Sequence, residues 1–61
     1  MPEIIVHAVT GRTPEQKKGL MADITDAVVK NFNIPKDKVV VSIIETPPEN
    51  KMKDGVLYSE R

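Results

Sequence analysis

The sequence predicts an α/β (α+β) fold, a single βαβ unit over residues 1–61 that closes with a short C-terminal hairpin or strand. Three observations carry this reading. Ile4-Ile5-Val6-His7-Ala8-Val9 is short and rich in β-branched residues, the mark of a strand. A capped stretch with helical spacing of its apolar residues follows it. Val39-Val40-Val41-Ser42-Ile43-Ile44 is then a second strand, apolar on both faces, as in strands covered from two sides. A strand, a long helix and a strand in that order form a right-handed crossover, so the two strands run parallel.

The first strand ends at Thr10-Gly11-Arg12, where Gly11 is free to take a positive φ. Thr13-Pro14-Glu15-Gln16 is a strong helix start: Thr13 caps, Pro14 suits the first helical position, and Gln16 completes a capping box. The helix runs to about Phe32, with Leu20, Ile24, Ala27, Val28 and Phe32 at the three-four spacing of one buried face. Asn33 or Ile34-Pro35 ends it, because the residue before a proline disfavours helical geometry. After the second strand, Thr46-Pro47-Pro48-Glu49-Asn50 is a loop and Lys51 to Gly55 is polar and turn-like. Val56-Leu57-Tyr58 is a short third strand or one arm of a hairpin. No internal repeat, linker or second domain is evident.

Size and charge restrict what such a chain can do. A domain of 61 residues buries only about 60% of the surface its unfolded chain exposes. It has no cysteine and a single histidine, so neither a disulfide nor a metal cluster compensates for the small core. One helix covers one face of a two-stranded sheet, and a second copy of the chain is the economical cover for the other. A homo-oligomer is therefore expected. His7 lies on the face with Ile5 and Val9 and reads as a packed or interface histidine. Nine basic and nine acidic side chains cancel, which argues against a general nucleic-acid or membrane binder. With no apolar run long enough to span a bilayer and no cationic leader, the expected location is the cytoplasm.

Pro2 is the residue with unusual chemistry. While Met1 is attached, its nitrogen is an amide; after Met1 is removed it is a secondary amine on a rigid ring. A small second residue permits that removal. Such an amine is a useful base when it is neutral at the working pH. Apolar surroundings and nearby positive charge both favour the neutral form. Ile4, Val39 and Val40 can supply the first. Because the strands are parallel, Lys38 and Lys36 lie at the same end of the sheet as Pro2 and can supply the second.

Met1-Pro2, the stretch Gly11-Arg12-Thr13-Pro14-Glu15-Gln16-Lys17, the βαβ layout and the Pro-Pro-Glu-Asn loop together resemble the 4-oxalocrotonate tautomerase group of the tautomerase superfamily. The similarity covers nearly the whole chain. It implies dimers assembled into a hexamer, no cofactor, and Pro2 as a catalytic base that moves a proton within a small unsaturated carboxylic acid. It also implies that Arg12 binds the substrate carboxylate. Where the group has a second active-site arginine this chain has Val40, and where it has an aromatic pocket wall this chain has Lys51, followed by Met52. Lys38 is a candidate to take over part of the missing arginine's role as a point charge, without the forked geometry.

Geometry limits how Pro2 and Arg12 can cooperate. They bracket the first strand, and eight or so extended residues at roughly 3.3 Å each separate them by more than about 20 Å. If they serve one substrate they come from different chains, and antiparallel pairing of two copies would bring the start of one strand near the end of another. Two functional readings follow. The first is a cofactor-free tautomerase acting on a small enol or unsaturated 2-keto acid, with Pro2 as base and Arg12 and Lys38 as substrate ligands. The second is a non-catalytic or heterohexamer subunit of the same fold, favoured by the missing arginine and aromatic residue.

Overall fold

The two branched runs pair as β1 (Glu3–Val9) and β2 (Val40–Thr46), seven residues each, in a computed structural model that describes all 61 residues. They are parallel and in full register, from Glu3 beside Val40 to Val9 beside Thr46. The second strand extends past Ile44 through Glu45 and Thr46, because β1 still offers Ala8 and Val9 as partners. Those two polar residues hide the strand's end from a reading based on apolar runs.

Between the strands, α1 spans Pro14–Phe32. Its start is the capping box expected from the sequence: the Gln16 N–H donates to Thr13 Oγ1 at 3.1 Å, and the Thr13 N–H donates to Gln16 Oε1 at 3.0 Å. Its end is Asn33, left-handed at φ 57° and ψ 51°, whose N–H donates to the Val29 carbonyl. Thr13→Ala removes the side-chain acceptor and leaves the Gln16 N–H without it. The expected loss is about 1 kcal/mol of stability, read from denaturant midpoints at fixed protein concentration.

The packed stripe of α1 differs in phase from the predicted one. Lys17, Met21, Ile24, Thr25, Val28 and Val29 are the partly covered positions, whereas Leu20 is 45% and Phe32 is 63% exposed and Ala27 is exposed too. Only Ile24 and Val28 belong to both sets. Apolar residues occur around much of this helix, so spacing alone does not select the face that meets the sheet.

Beyond β2, Pro48–Asn50 forms a single 3₁₀ turn, and β3 (Met52–Lys53) and β4 (Val56–Leu57) form an antiparallel hairpin. Its two-residue turn is Asp54-Gly55, with φ 55° and 76°. Positive φ at both central residues is the type I′ requirement that Asp-Gly satisfies. A last 3₁₀ turn, Tyr58–Glu60, follows. No helix is long and apolar enough to cross a membrane.

The chain by itself has no buried core. None of its 61 residues is buried. Its accessible surface is 4735 Å² at a mass of 6.8 kDa, against about 4,000 Å² for a compact monomer of that mass. Its radius of gyration is 14.6 Å, against about 10.5 Å for a compact chain of this length. The excess has a location. α1 covers the face of the sheet that carries Ile4, Val6, Ala8, Val41 and Ile43. The opposite face carries Ile5, His7, Val40, Ser42 and Ile44 and is bare, with Ile5 48%, Val40 43% and Ile44 46% exposed.

Candidate active site

The candidate residues sort to the two ends of the sheet. At the start of β1, Pro2 is half-buried, and its carbonyl accepts the Val40 N–H at 3.1 Å. Lys38 reaches the same end. It closes the 3₁₀ turn Lys36–Lys38, in which the Lys38 N–H donates to the Pro35 carbonyl and the Val39 N–H to the Lys36 carbonyl, both at 3.1 Å. The turn delivers the chain into β2 with the Lys38 side chain exposed.

At the other end, the chain leaves β1 through Thr10, whose N–H donates to the Thr46 carbonyl at 3.1 Å. It turns at Gly11, with φ 142°, and presents Arg12 exposed just before the helix cap. A cleft of about 240 Å³ opens there between helix start and sheet end. Val6, Ala8, Ile43 and Leu20 make its apolar wall, and Arg12, Gln16, Lys17 and Glu45 supply its polar groups. The positive end of the helix dipole at the start of α1 faces the same region, although the capping box and the Thr13 carbonyl already occupy the Thr13, Gln16 and Lys17 N–H groups and Pro14 has none.

Within the cleft, Lys17 Nζ donates to Glu45 Oε1 at 2.9 Å, an ion pair between residues 28 apart in sequence. Sequence reasoning did not find this pair. A signal for it exists, since Lys17 heads the inward stripe of Met21, Ile24 and Val28 and Glu45 shares the helix-covered face with Val41 and Ile43. Each is a charge in an apolar periodic position, which calls for a partner.

A seven-residue strand spans about 23 Å. The structure thus brings Lys38 to the end of the sheet that holds Pro2, and it keeps both away from Arg12 within one chain. Val40 faces the bare side of the sheet. Lys51 lies against Tyr58, its ammonium 5.5 Å from the ring centroid, and the Arg61 guanidinium lies 5.1 Å from the same ring.

These features define a class: a hairpin-tailed βαβ protomer that lacks a core and carries a cationic cleft at one end of a two-stranded parallel sheet. The family follows from comparison with known proteins. A family model described as tautomerase enzyme matches residues 2–61, and the chain belongs to that family. A probable tautomerase of Bradyrhizobium diazoefficiens is 52% identical over 61 residues, covering all of this chain and 91% of the relative. Among solved structures, TomN, a 4-oxalocrotonate tautomerase homologue in the tomaymycin biosynthetic pathway, superposes with a TM-score of 0.93 at 33% identity, covering 98% of this chain and 92% of that one. A heterohexamer 4-oxalocrotonate tautomerase from Chloroflexus aurantiacus gives a TM-score of 0.91 at 28% identity, covering 98% and 97%. Membership of this family supports a tautomerase-type isomerase.

Proposed function

We propose that the chain is a cofactor-free tautomerase in which Pro2, freed by removal of Met1, is the general base. The substrate class is a small enol or unsaturated 2-keto acid. The Pro2 nitrogen takes the proton of the enol hydroxyl. As the C–O bond becomes a carbonyl, the electron pair of the C=C bond moves to the terminal carbon of the enol or conjugated dienol. That carbon takes the proton back from the Pro2 ammonium, so the base is regenerated and nothing is consumed.

The observation that supports this reading best is the division of the protomer. Pro2 and Lys38 lie at one end of β1 and the Arg12 cleft lies at the other, in a chain with a bare sheet face and no buried residue. A homo-oligomer, taken here as a hexamer built from dimers, covers the face. Antiparallel neighbours place the Arg12 cleft of one chain beside Pro2 of another. Arg12 holds the substrate carboxylate. Lys38 adds positive charge near the amine, which favours its neutral form, and it faces the other polar end of the substrate.

Two measurements test this. The intact mass of the purified protein is expected to lack methionine; retention of Met1 leaves an amide at Pro2 and removes the base. With phenylenolpyruvate as a probe substrate, Arg12→Ala is expected to raise KM by about 10–100-fold with a smaller effect on kcat, the pattern of a lost charge-assisted carboxylate contact. An unchanged KM removes Arg12 from the site.

A second reading has two observations in its favour. Val40 stands where the resemblance calls for an arginine, and a similar structure is a heterohexamer. In that reading a second kind of chain brings the arginine. Native mass spectrometry of the chain expressed alone separates the two: a homogeneous, active assembly supports the first, and an inactive one that gains activity with a partner chain supports the second.

A further inference from the structure

The proton transfer assigned to Pro2 leaves the Lys17–Glu45 ion pair without a role. The pair is well formed, at 2.9 Å, and largely shielded, with side chains 30% and 27% exposed. Lys17 sits on the inward face of α1 just after its cap, and its N–H donates to the Thr13 carbonyl at 3.1 Å. Glu45 is the penultimate residue of β2. The pair therefore ties the first turn of the helix to the last turn of the pleat. Beside it, the Thr46 carbonyl holds the Thr10 N–H, and on the helix side the Thr13–Gln16 box fixes the cap. The segment from Thr10 to Thr13 is thus pinned at both ends, and Arg12 lies between the pins. Arg12 itself makes no side-chain hydrogen bond or ion pair.

We infer that Lys17 and Glu45 form a positioning pair for Arg12. By locking the helix start onto the end of the sheet, the pair sets where the guanidinium meets a substrate carboxylate. The inference rests on the reading of Arg12 as the carboxylate ligand. It assigns Glu45 no proton transfer, since Oε1 is committed to Lys17.

A purely electrostatic role for the pair has the opposite signature. The cleft holds two cations, Arg12 and Lys17, against one carboxylate, Glu45. Glu45→Gln makes the cleft more positive, so Coulomb attraction alone tightens the binding of an anion. Loss of the tie lets Arg12 drift and weakens it.

The test uses the full assembled protein, steady-state ketonisation of phenylenolpyruvate, and trans-cinnamate as a carboxylate probe titrated by NMR shifts. Glu45→Gln and Lys17→Gln are each expected to raise KM and the cinnamate Kd by about five- to tenfold, with kcat within about twofold of wild type. The double variant Lys17→Glu/Glu45→Lys, which reverses the pair, is expected to restore both to within about threefold. Tighter or unchanged cinnamate binding in Glu45→Gln overturns the inference, as does a fall confined to kcat. If neither single variant assembles, the pair is a stability element and the positioning role falls as well. Arg12→Ala, run in parallel, keeps the two levels apart. If it leaves cinnamate binding unchanged, the carboxylate-ligand reading fails. If it weakens binding while Glu45→Gln does not, only the positioning role fails.

Discussion

Pro2→Ala is expected to lower kcat for ketonisation by about 10²–10⁴-fold, the range that one positioned general base contributes, while KM changes little. The substitution is well suited to isolating the chemistry. Alanine is also small enough to permit removal of Met1, so the chain still begins with an amine, now primary and on a free backbone. The bond Pro2 makes to the sheet, its carbonyl accepting the Val40 N–H at 3.1 Å, survives in alanine. The assembly is therefore expected to remain intact by sedimentation. Arg12 lies at the far end of the strand, and in the proposed site its contact with the carboxylate is untouched, so KM is expected to be spared. A variant as active as wild type assigns the base to another group.

Ile44→Asp is expected to abolish assembly and activity together. Ile44 pairs with His7 on the bare face, 46% exposed in the lone chain, and shares that face with Ile5 and Val40. In an assembly that covers this face, an aspartate there is a buried charge without a partner, a cost of several kcal/mol. The protomer cannot absorb that cost, because no residue in it is buried and it holds together through one helix against two strands. The variant is expected to sediment as a monomer and to unfold without a cooperative transition. For the wild type, the same argument predicts a Tm that rises with protein concentration, since folding and association are then one equilibrium. An Ile44→Asp protein that folds as a stable, active assembly shows that this face is not the one covered.

Local chemistry made much of this fold legible in the sequence. Thr13 and Gln16 fix the start of α1 through the reciprocal hydrogen bonds of a capping box, and Pro14 suits its first helical position. Asn33 before Ile34-Pro35 fixes its end. The parallel pairing followed from the crossover alone. The hairpin was open to two readings, although Asp54-Gly55 carries the type I′ preference that decides between them. The phase of the helix was not legible. The chain has apolar surface to cover on more than one side, so Leu20 and Phe32 match the spacing of a core stripe yet stay exposed in the protomer. The site divided the same way. Arg12 stood out through the family resemblance, as the match to a carboxylate-binding arginine, and Lys38 because parallel strands carry it to the end that holds Pro2. Lys17 and Glu45 look like ordinary surface charges, and only the folding of helix onto sheet brings them to 2.9 Å. No pattern within one chain reveals which group would face Pro2 in an assembly, because the strand holds its two ends about 23 Å apart.

That separation is the centre of the account, and complementation tests it most directly. At substrate concentrations well below KM, Pro2→Ala chains and Arg12→Ala chains are each expected to be nearly inactive alone. When they are unfolded together and reassembled, random mixing leaves about one site in four with an intact Pro2 from one chain and an intact Arg12 from another. Activity is expected to rise well above that of either variant, toward roughly a quarter of the wild-type value. Mixed assemblies no more active than their parents would place both residues of each working site on one chain, which contradicts a site shared between protomers.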